Sequence, residues 1–195
     1  MMTKEKVFFC VLGVSLFLNP GFVYGTSYGA VPMNELFAEA DLVVFATVVR
    51  GTGEGFESTL YEAKVVLPIK GLEIGERFYF GPYSGGAIGR EYLLFLKESD
   101  DLLIAALKGD QNWFKTGRPG VVYQVMFVGF GSMEVQYTCP FEKCDYCVDV
   151  PIRHVPIPDD LERSPYDDPQ SRASDFAWVR KNHLVDYLSS LTNRE

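Results

Sequence analysis

The sequence predicts a mainly β fold: a small closed antiparallel barrel, then a β-hairpin extension and a short C-terminal helix. Three observations carry this. Four short runs of β-branched and aromatic residues follow one another between Leu42 and Lys97, separated by Gly-rich turns. The chain holds 15 Phe and 11 Tyr, residues that favour strands, and 18 Gly to turn between them. Only two stretches show the three-and-four apolar spacing of a helix.

The first of these is Asn34 to Ala40, with Leu36, Phe37 and Ala40 on one face and Asp41 ending it. Leu42 to Val49 then reads as a buried strand and Gly51 to Gly55 as a loop. Leu60 to Leu67 is a second strand, with Tyr61, Ala63 and Val65 alternating against Glu62 and Lys64. Pro68 to Gly71 is expected to turn the chain. Arg77 to Phe80 and Glu91 to Lys97 are the third and fourth strands, joined through the Gly81 to Gly86 loop. Leu102 to Leu107 fits strand or helix equally. Val121 to Phe127 and Glu134 to Thr138 suggest a hairpin about Gly129 to Ser132, with Cys147 to Val155 as a returning arm. Pro156 to Pro169, rich in Pro and Asp, reads as an extended surface connection. Phe176 to Arg180 is one more strand. Asn182 is placed to cap a last helix whose apolar face is Leu184, Val185, Leu188 and Leu191.

The N-terminus has the order of a secretory leader. Lys4 and Lys6 precede an apolar run from Val7 to Leu18, then come Asn19-Pro20-Gly21 and the small-residue end Val23-Tyr24-Gly25. The run is about a dozen residues, whereas a spanning helix needs about 20. No later segment is long and apolar enough to span. Residues 1–25 are therefore expected to be a signal peptide, residues 26–110 the barrel, and residues 111–195 the extension and final helix. The expected location is secreted, either extracellular or periplasmic. Loss of Lys4, Glu5 and Lys6 takes the basic and acidic counts from 18 and 26 to 16 and 25, a net charge of −9. Such a surface repels phosphate backbones, so nucleic acid is not an expected partner.

From Asn34 to Lys97, a short helix leading into "EADLVVFATVV", then "YEAKVVLPIKG", "IGERFYF" and "GREYLLFLK", resembles the tissue inhibitor of metalloproteinases and netrin-like superfamily, nearest to its secreted bacterial members. The resemblance covers about a third of the chain and rests on short hydrophobic motifs, which specify fold better than activity. It implies an OB-fold-like closed five-stranded barrel. It also implies a non-catalytic protein that acts on a protein partner, with proteases as the family's targets. Animal inhibitors of the family grip the protease zinc through an N-terminal Cys. Here Thr26 is the expected first residue, and the mature chain has no Cys before Cys139. The chelating residue is not carried over.

Cys139, Cys144 and Cys147 cluster, with His154 nearby. Their spacing offers two outcomes. Four such ligands suit zinc, the one cofactor the sequence suggests. In an oxidising compartment a disulfide is expected instead, and the odd count leaves one thiol over. A redox pair at Cys144 and Cys147 lacks the helix start that such pairs use. Gly51 to Gly55 lacks the Lys and following helix of a phosphate loop. Ser84 lacks the Gly-x-Ser-x-Gly spacing of a nucleophile elbow. With His154 and His183 the only histidines, no catalytic constellation is visible, and no enzyme is expected. Tyr79 and Tyr83, on the third strand and its loop, are the candidate binding residues, since OB barrels bind through such faces. Phe78 and Phe80 are expected in the core. The functional expectation is a secreted binding module, with a zinc-bound or disulfide-linked structural protein of the envelope as its rival.

Overall fold

In the computed structural model of the chain, the described residues are 29–52, 60–81, 85–99, 121–127, 130–142, 146–165 and 175–192. The expected leader, Leu102 to Leu107, Tyr83 and Cys144 lie outside them.

Helix α1 (Met33–Glu39) opens the described chain. Met33, Leu36 and Phe37 are buried, the three-and-four spacing at work. Strand β1 (Leu42–Thr52) pairs antiparallel with β2 (Leu60–Lys70), β2 with β3 (Arg77–Phe80), and β1 also with β4 (Glu91–Glu98). Strand β5 (Val122–Val125) fits between β3 and β4, parallel to the first and antiparallel to the second. The order β1-β2-β3-β5-β4 thus returns to β1 and closes a five-stranded, OB-fold-like barrel. One of its five pairings is parallel, where an all-antiparallel barrel was expected. Its fifth strand comes from beyond residue 110.

Strands β1 and β4 are buried on both faces. Leu42, Val44, Ala46 and Val48 point into the barrel with Tyr92, Leu94 and Leu96. Val43, Phe45, Leu93 and Phe95 point the other way, into a second core shared with α1 and the C-terminal elements. Two buried faces demand continuous apolar runs, which is why "LVVFA" and "YLLFL" do not alternate. Each fully buried side chain of this kind stabilises the fold by about 1.5–3 kcal/mol relative to exposure.

The expected turn at Pro68 is strand. Strand β2 continues to Lys70, with Pro68 opposite Val44 and Lys70 opposite Val43, so one extra residue bulges between them. A bulge is where a strand tolerates a residue with no N–H to donate.

Strand β6 (Ser132–Gln136) does not pair with β5, so the hairpin expected from Val121 to Thr138 is not formed. Both strands lie along the same edge of β4, end to end. Strand β5 takes Leu96 to Glu98 and β6 takes Tyr92 to Leu94. At the junction Gly131 donates to Met126 O at 3.1 Å, and its own carbonyl accepts from Phe95 N at 2.7 Å. A Cβ on Gly131 would stand 2.9 Å from Met126 O and 3.0 Å from Phe95 O. Only glycine fits so close an approach.

The hairpin of the extension is formed one strand later, by β6 and β7 (Cys147–Val150). Strand β7 pairs with β9 (Ala177–Arg180), and β9 with β8 (Arg163–Pro165). Val155, Ile157 and Leu161 are buried in the second core. The Pro- and Asp-rich stretch is therefore less superficial than its composition suggests. Helix α2 (Lys181–Thr192) follows β9 directly, which puts Asn182 inside its first turn rather than at its cap. Leu184 and Leu188 are buried, with Val185 and Leu191 packed beside them. Lys181 Nζ lies 2.6 Å from Glu91 Oε1 and 4.9 Å from the Phe45 ring centre, tying the start of α2 to the start of β4. Among the described residues no helix is long and apolar enough to cross a membrane.

Candidate functional site

Two surfaces carry the residues singled out in the sequence. The first is the loop of the β6–β7 hairpin. A disulfide joins Cys139 to Cys147, with 5.5 Å between their Cα atoms. Cys147 is buried opposite Gln136, and Cys139 closes the loop over it. Two of the four expected zinc ligands are thus bonded to each other and have no thiolate to offer a metal. His154 lies in the turn after β7. Its ring stacks on Phe130 with centroids 4.0 Å apart and planes 16° apart, and its buried Nδ1 has no hydrogen-bond partner among the described residues. Its carbonyl accepts from Val31 N at 2.8 Å, pinning the segment before α1. The described members of the cysteine and histidine cluster therefore form a disulfide and a packed imidazole, not a zinc tetrahedron. No group of three His, Cys, Asp or Glu side chains suited to a metal occurs among the described residues.

The disulfide lies beside an aromatic ledge that the sequence reading missed. Tyr137 and Tyr146 flank the loop, their rings edge-on with centroids 5.7 Å apart, and they are 51% and 43% exposed. The Arg180 guanidinium lies over Phe141 at 4.6 Å, is held by Glu162 at 2.7 Å, and donates to Glu142 O at 3.1 Å. Lys181 Nζ is 5.6 Å from the Tyr146 ring centre. The sequence signal was present, as aromatics on both sides of the two outer cysteines. It gains meaning only once those two cysteines are known to pair.

The second surface is the outer face of β1, β2 and β3. Phe78 and Phe80 point into the barrel as expected, so Tyr79 points out. Tyr79 is only 7% exposed, packed with Leu60 and Val122. Burial raises its pKa, the nearby Glu62 carboxylate raises it further, and Arg50 and Arg77 act against both. The ring is thus a support of this face, not the exposed contact expected of it. The polar work beside it belongs to Glu62, whose side chain is 7% exposed. It accepts from Arg50 Nη2 at 3.1 Å and Arg77 Nη1 at 3.0 Å. Register aligns Arg50, Glu62 and Tyr79 in one cross-strand row and Thr47, Lys64 and Arg77 in the next.

A third polar group lies on the extension. Asp149 sits opposite Trp178, with Gln136 Nε2 donating to its Oδ2 at 2.9 Å. Burial raises the Asp149 pKa, the hydrogen bond from Gln136 and the nearby Trp178 indole oppose that rise, and Glu134 adds to it.

Compared with protein-family models, curated proteins and solved structures, the chain matches none.

Proposed function

We propose that the protein is a secreted, non-catalytic binding module that acts by protein–protein contact through the ledge of the β6–β7 hairpin. The observation that carries this is the pair Tyr137 and Tyr146, half-exposed and held in place beside the Cys139–Cys147 disulfide. Exposed aromatics on a rigid support lose little conformational freedom on binding, and Tyr and Arg dominate contact energetics at interfaces. The leader-like N-terminus and the disulfide both suit an oxidising compartment. The resemblance to protease inhibitors makes proteases the first partners to test. A Thr start leaves the zinc-gripping mode without its ligand, so contact would run through the ledge.

The test is capture from the secreted fraction with the full exported chain as bait, beside a folded Tyr137→Ala/Tyr146→Ala variant. A protein retained by the wild type and lost with the variant is the expected result. Equal retention by both, or no retained protein, removes the support for this reading.

A second reading, a disulfide-linked structural protein of the envelope, is favoured by one fact. Pairing Cys139 with Cys147 leaves Cys144 as the third cysteine of the mature chain. Non-reducing electrophoresis of the exported protein decides it. A reducible higher-mass band supports that reading, and a single monomer band with one alkylatable thiol opposes it.

A further inference from the structure

We propose that the outer face of β1–β3 is a second contact surface, built for a carboxylate-rich segment of a partner polypeptide. The inference deepens the protein-contact reading by naming a surface and the chemistry of what it takes. Arg50, Lys64 and Arg77 occupy two adjacent cross-strand rows of β1–β3, where Glu62 is the one carboxylate among the described residues; Glu91, opposite Thr47 on β4, is buried and held by Lys181. The chain as a whole carries −8. This face is thus a local reversal of the protein's charge.

The arginines are only partly spent on Glu62. Each guanidinium has five N–H donors in a planar fork. Their side chains are 51% and 62% exposed even while each holds Glu62. Glu62 is itself almost buried, so it fixes the two forks from beneath and leaves their outer edges to solvent. That the forks already hold one carboxylate shows which group their geometry suits. Lys64 is exposed and makes no ion pair among the described residues. Val66, two residues further along the same side of β2, is 41% exposed and adds an apolar footing. The three cations stand on three neighbouring strands, spaced about 4.8 Å from one to the next, within reach of acidic side chains on one extended segment.

The chain's overall negative charge does not prevent this. At physiological salt the screening length is about 8 Å, so an incoming side chain responds to the nearest charges rather than to the whole molecule.

The experiment is fluorescence anisotropy of a labelled Glu- and Asp-rich peptide titrated with the full exported chain. A Gly/Ser peptide serves as the control. A sulfated polysaccharide and a single-stranded oligonucleotide are run as rival anions. Binding of the acidic peptide is expected, and it weakens as salt rises from about 0.01 M to about 0.15 M. Lys64→Glu is expected to weaken it by on the order of tenfold, since one attraction becomes a repulsion. Arg50→Gln and Arg77→Gln would take both arginines from the buried Glu62, so they are combined with Glu62→Gln. That folded triple variant is also expected to lose most of the binding. The proposal is overturned if both variants bind the peptide as the wild type does. It is equally overturned if the polysaccharide or oligonucleotide binds and the peptide does not. Concentration-dependent self-association abolished by Lys64→Glu also overturns it, because the occupant would then be a second copy. Failure of the tyrosine-ledge test leaves this titration unaffected, so the two ideas fall separately.

Discussion

Breaking the Cys139–Cys147 bond is the most direct perturbation of the hairpin on which the ledge stands. The two cysteines are 8 residues apart in sequence, and their bond closes a small loop. Loop-closure entropy for so short a segment gives a stabilisation of about 2.5 kcal/mol at 25 °C. For a chain of this size that corresponds to a fall in Tm of about 5–10 °C. The assay is thermal unfolding followed by circular dichroism, on the oxidised protein, the reduced protein, and a Cys139→Ala/Cys147→Ala variant. Alanine is chosen over serine because Cys147 is buried, and a hydroxyl there would add a desolvation cost of its own. Reduced protein and variant should melt together, both below the oxidised form. If all three melt within about 1 °C of one another, the loop restrains nothing and the entropic reasoning fails.

Three further perturbations test the packing and the electrostatics. Asp149 has its folded pKa raised by burial, so the folded state holds a proton more firmly than the unfolded chain does. Stability from this group is therefore greatest in acid and falls as pH rises from the ordinary carboxylate range through the raised value. Asp149→Asn should flatten that part of the stability–pH curve and raise stability at pH 7 by no more than about 1 kcal/mol, since water screens part of the group; denaturant titrations across pH check it. Arg50→Ala/Arg77→Ala should cost about 3 kcal/mol by leaving Glu62 without its arginines, and adding Glu62→Ala should recover part of that; a triple variant less stable than the double would contradict the argument. Gly131→Ala forces a Cβ against two backbone oxygens and should cost about 2–3 kcal/mol in urea unfolding, an effect absent if the junction simply shifts aside.

Much of the barrel was legible because its strands obey local rules. Arg77 to Phe80 alternates in and out, and its bounds are as expected. The runs at Leu42 and Tyr92 announced burial, though not that each faces two different cores. What stayed hidden was pairing. The segments around Tyr123 and Val135 have the look of two hairpin arms. Only β4, with eight residues of edge to offer, explains why they lie in line instead. Pro68 reads as a turn because proline usually is one, and the bulge that accommodates it depends on β1. The spacing of Cys139, Cys144 and Cys147 could not decide among partners, because thiol pairing is set by Cα separation in the folded hairpin. The Arg50–Glu62–Arg77 bridge was missed for the same reason. Its members are spread over three strands, and Glu62 alone looks like an ordinary outward-facing strand residue.

Strand β4 has three neighbours, with β1 along one edge and β5 and β6 sharing the other. The barrel and the extension therefore have no seam at which one can melt while the other persists. Opening either strips a row of β4 backbone groups and uncovers Leu93 and Phe95. The whole should unfold as one cooperative unit, and the slowest-exchanging amides should cluster in the middle of β4. A chain ending after Val125 would be left with half of that edge unpaired, a template for joining one molecule to the next.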